Sequence, residues 1–245
     1  MRKRLLKIPW DAEGVFIERP NRFVGIVELP SEHGGKRDAA HVHDPGRLKE
    51  LLYPGARVAL KKAEGKGRKT AWTLVAAFHD GEWVLVNSGM HRKISQALIS
   101  EYVVSPFGKA VHVEPEVRFG TSRLDYRLVT SDGEEVYVEV KGCTLAIDGV
   151  ALFPDAPTKR GARHVQELME VVAKGCRAAL LVLIFRSNVR CFMPNALTDP
   201  LFASVFAKAL NVGVEAYPVA CSVQGGSVWY EGPVALCGDR ENSVP

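Results

Sequence analysis

The chain has 245 residues, of which 47% are hydrophobic and 24% charged, with a formal net charge of +4. These are ordinary proportions for a chain that builds one large or two small packed domains. No run of eighteen apolar residues is present, which excludes a membrane-spanning helix, and the five cysteines contain no C-x-x-C pair, which argues against a zinc site or a disulfide framework.

All five cysteines are therefore expected as small buried apolar side chains. The basic start MRKRLLKIPWD has too short an apolar part for a signal peptide, so the expected compartment is the cytoplasm. The positive charge is an N-terminal property: residues 1–70 hold 16 Lys/Arg against 9 Asp/Glu, and the remainder 16 against 19. A polyanion docked on the first part of the chain would gain counterion-release free energy.

Residues 5–28 carry short apolar runs broken by Gly14, Pro20-Asn21 and Gly25. Strands are expected at 24–29, 39–43, 56–62, 71–79 and 82–86, with a short helix over 47–52. Short strands at this spacing suggest a small barrel or sandwich, of which an OB-like barrel is one solution. KKAEGKGRKTAW places Lys61, Lys62, Lys66, Arg68 and Lys69 in a glycine-containing loop beside Trp72. Basic residues flanked by an aromatic suit the phosphates and a stacked base of a single strand. The competing reading is a solvated hairpin tip with a core tryptophan. His41 and His43 lack a third partner at ligand spacing and are read as ordinary histidines.

Asn87-Ser88-Gly89 marks a junction, so the expected domains are 1–88 and 89–245. A helix is expected at 94–102, then strands at 111–114 and 116–119. Leu124, Tyr126 and Leu128 alternate with Arg123, Asp125 and Arg127, and Val136, Val138 and Val140 alternate with Tyr137, Glu139 and Lys141. Period-two patterning predicts two strands, joined at Ser131-Asp132-Gly133 where glycine can take a positive φ. A three-residue loop sets Thr130 opposite Glu134, and hence Asp125 opposite Glu139, with Lys141 on the same face.

Two adjacent carboxylates repel unless a cation joins them. Oxygen-only ligation suits a hard ion such as Mg²⁺, and a neighbouring lysine can orient water or balance phosphate charge. The competing reading is a cross-strand salt-bridge cluster. Following FPDAPTKRG, Val165, Leu168, Met169 and Val172 form an amphipathic stripe over 158–174. Arg160, His164 and Glu167 fall on another face of that helix, where the first two can reach the acidic patch. The run AALLVLIF predicts a strand buried on both faces. A strand at 189–193, a helix 199–210 capped by Thr198, a strand 214–223 and an extra edge strand at 228–236 complete the chain.

SRLDYRLV, VYVEVKGCTLA and FPDAPTKRGARHVQELM, in this order and spacing, closely resemble the sugar fermentation stimulation protein A family. That resemblance implies an N-terminal OB-like β-barrel followed by a PD-(D/E)XK restriction-endonuclease-like α/β domain. It implies that Asp125, Glu139 and Lys141 occupy metal and catalytic positions. It also matches Glu116 to an acidic position and Arg160 and His164 to the following helix. Asp44 stands where the family has asparagine, which puts a phosphate-binding role for that loop in doubt. The leading expectation is a Mg²⁺- or Mn²⁺-dependent nuclease acting on DNA, with single-stranded, nonspecific DNA among the partners. Asp125 and Glu139 hold the metal, Glu116 assists, Lys141, Arg160 and His164 serve the phosphate, and the basic loop holds the backbone. The alternative is a DNA-binding regulator of sugar metabolism genes that does not cut.

Overall fold

The computed structural model describes residues 1–65, 67–120 and 122–238. The first part contains β1 (Lys3–Lys7), β2 (Ala12–Asn21), β3 (Val24–Glu28), β4 (Arg37–His41), β5 (Arg57–Lys62), β6 (Trp72–His79) and β7 (Glu82–Leu85). Five of these close on themselves in the order β2–β3–β4–β6–β5 and back to β2. The parallel pair β4–β6, through Ala40–Trp72 and His41–Thr73, completes the ring. This is the OB topology, in which full closure leaves no free edge. Phe16, Val27, Leu60 and Leu74 fill the interior. Gly25 lies against the Phe16 ring, where a Cβ would stand 2.7 Å from Cε2.

The second part contains α1 (His91–Ser100), β8 (Ala110–Phe119), β9 (Ser122–Thr130), β10 (Glu135–Cys143), β11 (Ala146–Ile147), β12 (Val150–Phe153), α2 (Lys159–Ala173), β13 (Arg177–Ile184), β14 (Cys191–Pro194), α3 (Pro200–Asn211), β15 (Glu215–Gln224), β16 (Ser227–Pro233) and β17 (Ala235–Leu236). Its sheet runs β1–β16–β15–β13–β10–β9–β8, with β10, β13 and β15 mutually parallel. β7 joins this sheet to the barrel through the Trp83–Val223 pair. Residues Ala178–Ile184 of β13 are all buried, as its unbroken apolar run requires for a central strand covered on both sides. One core continues from the barrel under α1, with Tyr126, Val136 and Val138. The other lies between the sheet, α2 and α3, with Leu168, Leu180 and Phe202. Arg186, itself buried, donates to Glu82 at 2.9 Å and to Asp80 at 3.0 Å, tying the barrel hairpin to the end of β13.

Several expected elements differ. Residues 47–52 form turns rather than a helix, because Leu48 adopts a positive φ of 49° that a right-handed helix cannot continue. The strands expected at 111–114 and 116–119 are one strand, Ala110–Phe119, which absorbs Glu116 at φ 56°. α1 starts earlier than expected, at His91. Asp199, not Thr198, caps α3, accepting the Phe202 amide at 2.9 Å. The edge strand expected at 228–236 is two strands: β16 lies between β15 and β1, because the unforeseen strand β1 pairs with it, and β17 lies at the edge of another sheet. β2 runs through Gly14 and Pro20, which were expected to interrupt it. In a second, four-stranded sheet β11–β12–β14–β17, β14 is the strand expected at 189–193, whereas β11 and β12 have no counterpart among the expected elements. In it Cys191 and Cys237 form a disulfide with Cα atoms 5.0 Å apart, overturning the expectation of five unpaired thiols. Parallel pairing of β14 with β17 brings the two together, a proximity their separation of 46 residues cannot disclose.

Candidate metal centre and nucleic-acid interface

The β9–β10 hairpin has the expected register. Its turn is closed by Thr130 N–H donating to Glu134 O at 3.0 Å, with Gly133 at φ 86°. Backbone pairing runs from Glu135–Val129 to Val138–Tyr126. One residue further, Glu139 and Asp125 fall opposite each other. Here the Val140 N–H donates to Asp125 Oδ2 at 2.7 Å. Tyr126 and Leu128 belong to the core beneath α1, whereas Leu124 belongs to the core beneath α2. The simple alternation read for β9 therefore breaks at Asp125.

Glu139 is 2% exposed, on the α2 side of the sheet. Its Oε1 accepts from both Lys141 Nζ and His164 Nδ1. Arg160 Nε donates to His164 Nε2 at 3.3 Å. An arginine can only donate, so the imidazole proton lies on Nδ1 and points at Glu139. The spacing of Arg160 and His164 along α2 achieves this because residues four apart stack on one helix face. α2 is positioned by Thr158, whose hydroxyl accepts the Gly161 amide at 3.0 Å.

The two carboxylates titrate in opposite directions. Burial, then the adjacent Glu139, push Asp125 up to about 6 against the restraint of the Val140 amide and the nearby Lys141 and His164. Burial also works against the Glu139 charge, but the His164 hydrogen bond and the Lys141 ammonium outweigh it and hold Glu139 below the usual range. Glu139 Oε2 is buried and has no hydrogen-bond partner. A carboxylate oxygen orphaned beside a second carboxylate is a donor set suited to a hard cation. Among the described residues, no three His, Cys, Asp or Glu side chains are grouped to hold a metal by themselves. Any ion here would keep several waters or substrate oxygens.

Glu116 follows the β8–β9 register to a place opposite Asp125, between the pairs Pro115–Tyr126 and Val117–Leu124. Its side chain is half-exposed and engaged elsewhere, by Arg92 at 2.5 Å and Arg123 at 3.2 Å. It stands in the same row as Asp125 and Glu139 without joining their contacts.

His91 was not foreseen. Its ring lies over Gly142, where a Cβ would sit 2.1 Å from Cε1, and stacks on Phe185 at 5.2 Å. Burial and the nearby Lys141 charge lower its pKa to about 4, so an uncharged ring faces the glycine that follows Lys141. No spacing rule links residues 91 and 142; only the packing of α1 on β10 brings them together.

Lys61, Lys62 and Arg68 line a cavity of about 380 Å³. Lys7 and Lys93, which no sequence pattern singled out, line it too, with Glu64 as the one acid among the lining residues. Lys69 is exposed outside it. Lys66 lies outside the described residues. Trp72 is 5% exposed in the barrel core, edge-on to His33, so it offers no stacking platform. His41 and His43 stand 4.7 Å apart, and His43 borders this cavity.

Together these features define the class: an OB barrel fused to an α/β domain of the restriction-endonuclease type, with a paired-carboxylate centre facing α2. The family model described as the SfsA N-terminal OB domain matches residues 17–86, and that described as the sugar fermentation stimulation protein RE domain matches residues 89–227. The chain belongs to the sugar fermentation stimulation protein family. It is 46% identical over 242 residues to a homologue from Methanococcoides burtonii, covering 98% of each chain. A Thermotoga neapolitana homologue is 43% identical over 232 residues, covering 95% of this chain and 98% of its own. A solved structure of Pyrococcus furiosus SfsA in complex with Ca²⁺ superposes with a TM-score of 0.86 at 28% identity, covering 96% of this chain and 99% of that one. No described helix is long and apolar enough to cross a membrane.

Proposed function

We propose that the chain is a divalent-metal-dependent nuclease acting on DNA, with Mg²⁺ or Mn²⁺ held between Asp125 and Glu139. The observation that carries this reading is the orphaned, buried Glu139 Oε2 beside a carboxylate whose pKa is raised to about 6. Paired groups pushed apart in pKa at one buried spot are the arrangement that acid–base and metal chemistry uses. The relative solved with Ca²⁺ supports a hard divalent ion.

When bound, the ion would supply Lewis-acid polarisation of a phosphoryl oxygen and acidify a coordinated water. Lys141, hydrogen-bonded to Glu139 on the same face, balances negative charge on a phosphate oxygen. His164 fixes the rotamer of Glu139, and Arg160 fixes His164 while remaining exposed to meet a phosphate. Glu116 adds a ligand only if it leaves Arg92 and Arg123. Domain 1–88, joined by Lys93, holds the backbone of unpaired DNA through the basic cavity, and domain 89–245 cuts. The relevant assay is cleavage of single- and double-stranded DNA with Mg²⁺ or Mn²⁺ by wild type, Glu139→Gln and Lys141→Ala. Cleavage by wild type that both variants lose supports the reading; equal cleavage by all three sinks it.

The second reading is a DNA-binding regulator that does not cut. It is favoured by the way Lys141 and His164 already satisfy Glu139 Oε1, and two arginines occupy Glu116, so that part of the acidic row is balanced without an ion. DNA binding with no cleavage under any divalent metal would move it to the front.

A further inference from the structure

We propose that the cleft between the two domains is a nucleotide subsite of the candidate centre, taking one unpaired nucleotide whose base carries an exocyclic amino group. This rests on the nuclease reading above. The cleft has a volume of about 480 Å³. Its barrel-side wall is Arg22 and the loop around Asp44, Gly46 and Leu48. Its other wall comes from the end of β10 and the segment leading into α2.

The barrel-side wall is rigidly built. Arg19 Nη1 donates to the carbonyls of Gly46 and Arg47 at 2.8 Å, and Nη2 to those of Arg22 at 2.7 Å and Asp44 at 2.9 Å. Asp44 Oδ1 accepts the Gly46 amide at 2.7 Å. Asp155 Oδ2 accepts the Leu48 amide at 3.1 Å across the domain boundary. Gly46 lies so close that a Cβ there would stand 2.6 Å from Asp155 Oδ2. A wall fixed in this way needs no ordering when a ligand enters.

The lining is two-ended. Arg22, Lys159 and Arg160 are cationic and exposed at the rim. Asp44 and Asp155 place acceptors on the inner surface beside the apolar Leu48 and Leu152. Arg160 is common to both places: it borders the cleft and donates to His164, the residue that holds Glu139. A phosphate brought to the paired carboxylates and met by Arg160 therefore directs its attached nucleoside into the cleft.

Size and chemistry choose the occupant. A volume of about 480 Å³ suits a single small-molecule-sized unit. A base inside a duplex reaches such a pocket only after extrusion, which costs unstacking, so an unpaired strand enters at lower cost. Carboxylates accept from the amino group of cytosine and, by the same logic, from the amino groups of adenine and guanine. Thymine has no amino group and offers only its N3–H, flanked by two carbonyl oxygens that would face the carboxylates.

The test uses fluorescence anisotropy of a short labelled single strand on the full chain with Ca²⁺, competed by dCMP, dTMP and inorganic phosphate. dCMP is expected to displace the strand at about tenfold lower concentration than dTMP, with phosphate the weakest competitor. Asp155→Asn, which keeps an acceptor for Leu48 but adds a donor, should erase the dCMP preference. Ala156→Trp, which fills the cleft without touching Asp125 or Glu139, should abolish dCMP competition and slow cleavage of unpaired strands. The rise of Tm on adding Ca²⁺ should stay at its wild-type value in both variants, which also reports that they fold. Equal competition by dCMP, dTMP and phosphate, or Ala156→Trp cutting like wild type, overturns the subsite and leaves the nuclease reading standing. If wild type neither binds Ca²⁺ nor cuts, both readings fall.

Discussion

The Val140 amide donates to Asp125 Oδ2 at 2.7 Å, so at this point a side chain receives the amide of the adjacent strand. The bond fixes the Asp125 carboxylate against Glu139, and burial makes its charge costly: its pKa rises from 3.8 to about 6. Between these values the folded chain holds a proton that the unfolded chain releases. Metal-free stability attributable to this group therefore falls as pH rises through that window, by about 3 kcal/mol in all. Asp125→Asn keeps an acceptor for Val140 and removes the titration. The variant should gain on wild type as pH rises from about 4 to 6 and hold that advantage above it. Denaturant melts of the two metal-free proteins across pH would show it; parallel pH profiles would remove Asp125 as the cause.

The same substitution predicts the effect of metal. A divalent ion stabilises only the protein that binds it, by an amount set by concentration over Kd. Mn²⁺ should raise the Tm of wild type at pH 8 and leave Asp125→Asn and Glu139→Gln unmoved. Equal shifts in all three would place the ion elsewhere.

Removing the His164 ring should leave a buried charge under-satisfied. Glu139 would keep Lys141 on Oε1 but lose the Nδ1 donor, at a cost of about 2 kcal/mol. Arg160→Ala should cost much less stability, because the arginine is exposed. A thermal melt that ranks Arg160→Ala below His164→Ala would show that the imidazole is not what satisfies Glu139.

Gly142→Ala introduces a Cβ that would stand 2.1 Å from His91 Cε1, so either the ring or the strand must move. Overpacking of this kind costs about 3 kcal/mol, and displacement of β10 would carry Lys141 with it. Adding His91→Ala should restore most of the stability. A double variant no more stable than Gly142→Ala alone would show that the strain lies elsewhere.

Reduction of the Cys191–Cys237 disulfide opens a loop closed across 46 residues. Loop-closure entropy puts the loss at about 4 kcal/mol or less. Tm should fall on adding dithiothreitol to wild type and should be insensitive to it in the Cys191→Ser, Cys237→Ser variant. The bond is at odds with the reducing compartment expected from the sequence, where most proteins keep free thiols. An unchanged Tm in dithiothreitol would mean that the strand pairing of β14 and β17 alone holds this end of the chain.

The positions of the strongest elements were legible because their periodicity is local. The β9–β10 hairpin, with Gly133 at its turn and Asp125 opposite Glu139, follows from alternation and one loop length. So do the buried strand β13 and the placing of Arg160 and His164 on one helix face. The helix expected over 47–52 is a set of turns, although Leu48, Leu51 and Leu52 stand at helical spacing. All three are buried, but in a chain reversal whose positive φ at Leu48 leaves no mark in residue type. Trp72 was one of two open readings, base platform or core, and barrel closure through the β4–β6 pair sets it inside.

By itself the sequence determined which residues share a strand face or a helix face, because those relations span a few residues and depend on backbone geometry alone. Tertiary structure decided what those faces meet. It set His91 over Gly142, Lys7 and Lys93 beside Lys61, Asp155 against the Leu48 amide, and Cys191 on Cys237. It also made Glu139 Oε2 an orphan, since burial and hydrogen-bond supply are properties of the packed surroundings. Such contacts join residues tens to more than a hundred positions apart, and they are fixed by how layers pack, a quantity no local pattern encodes.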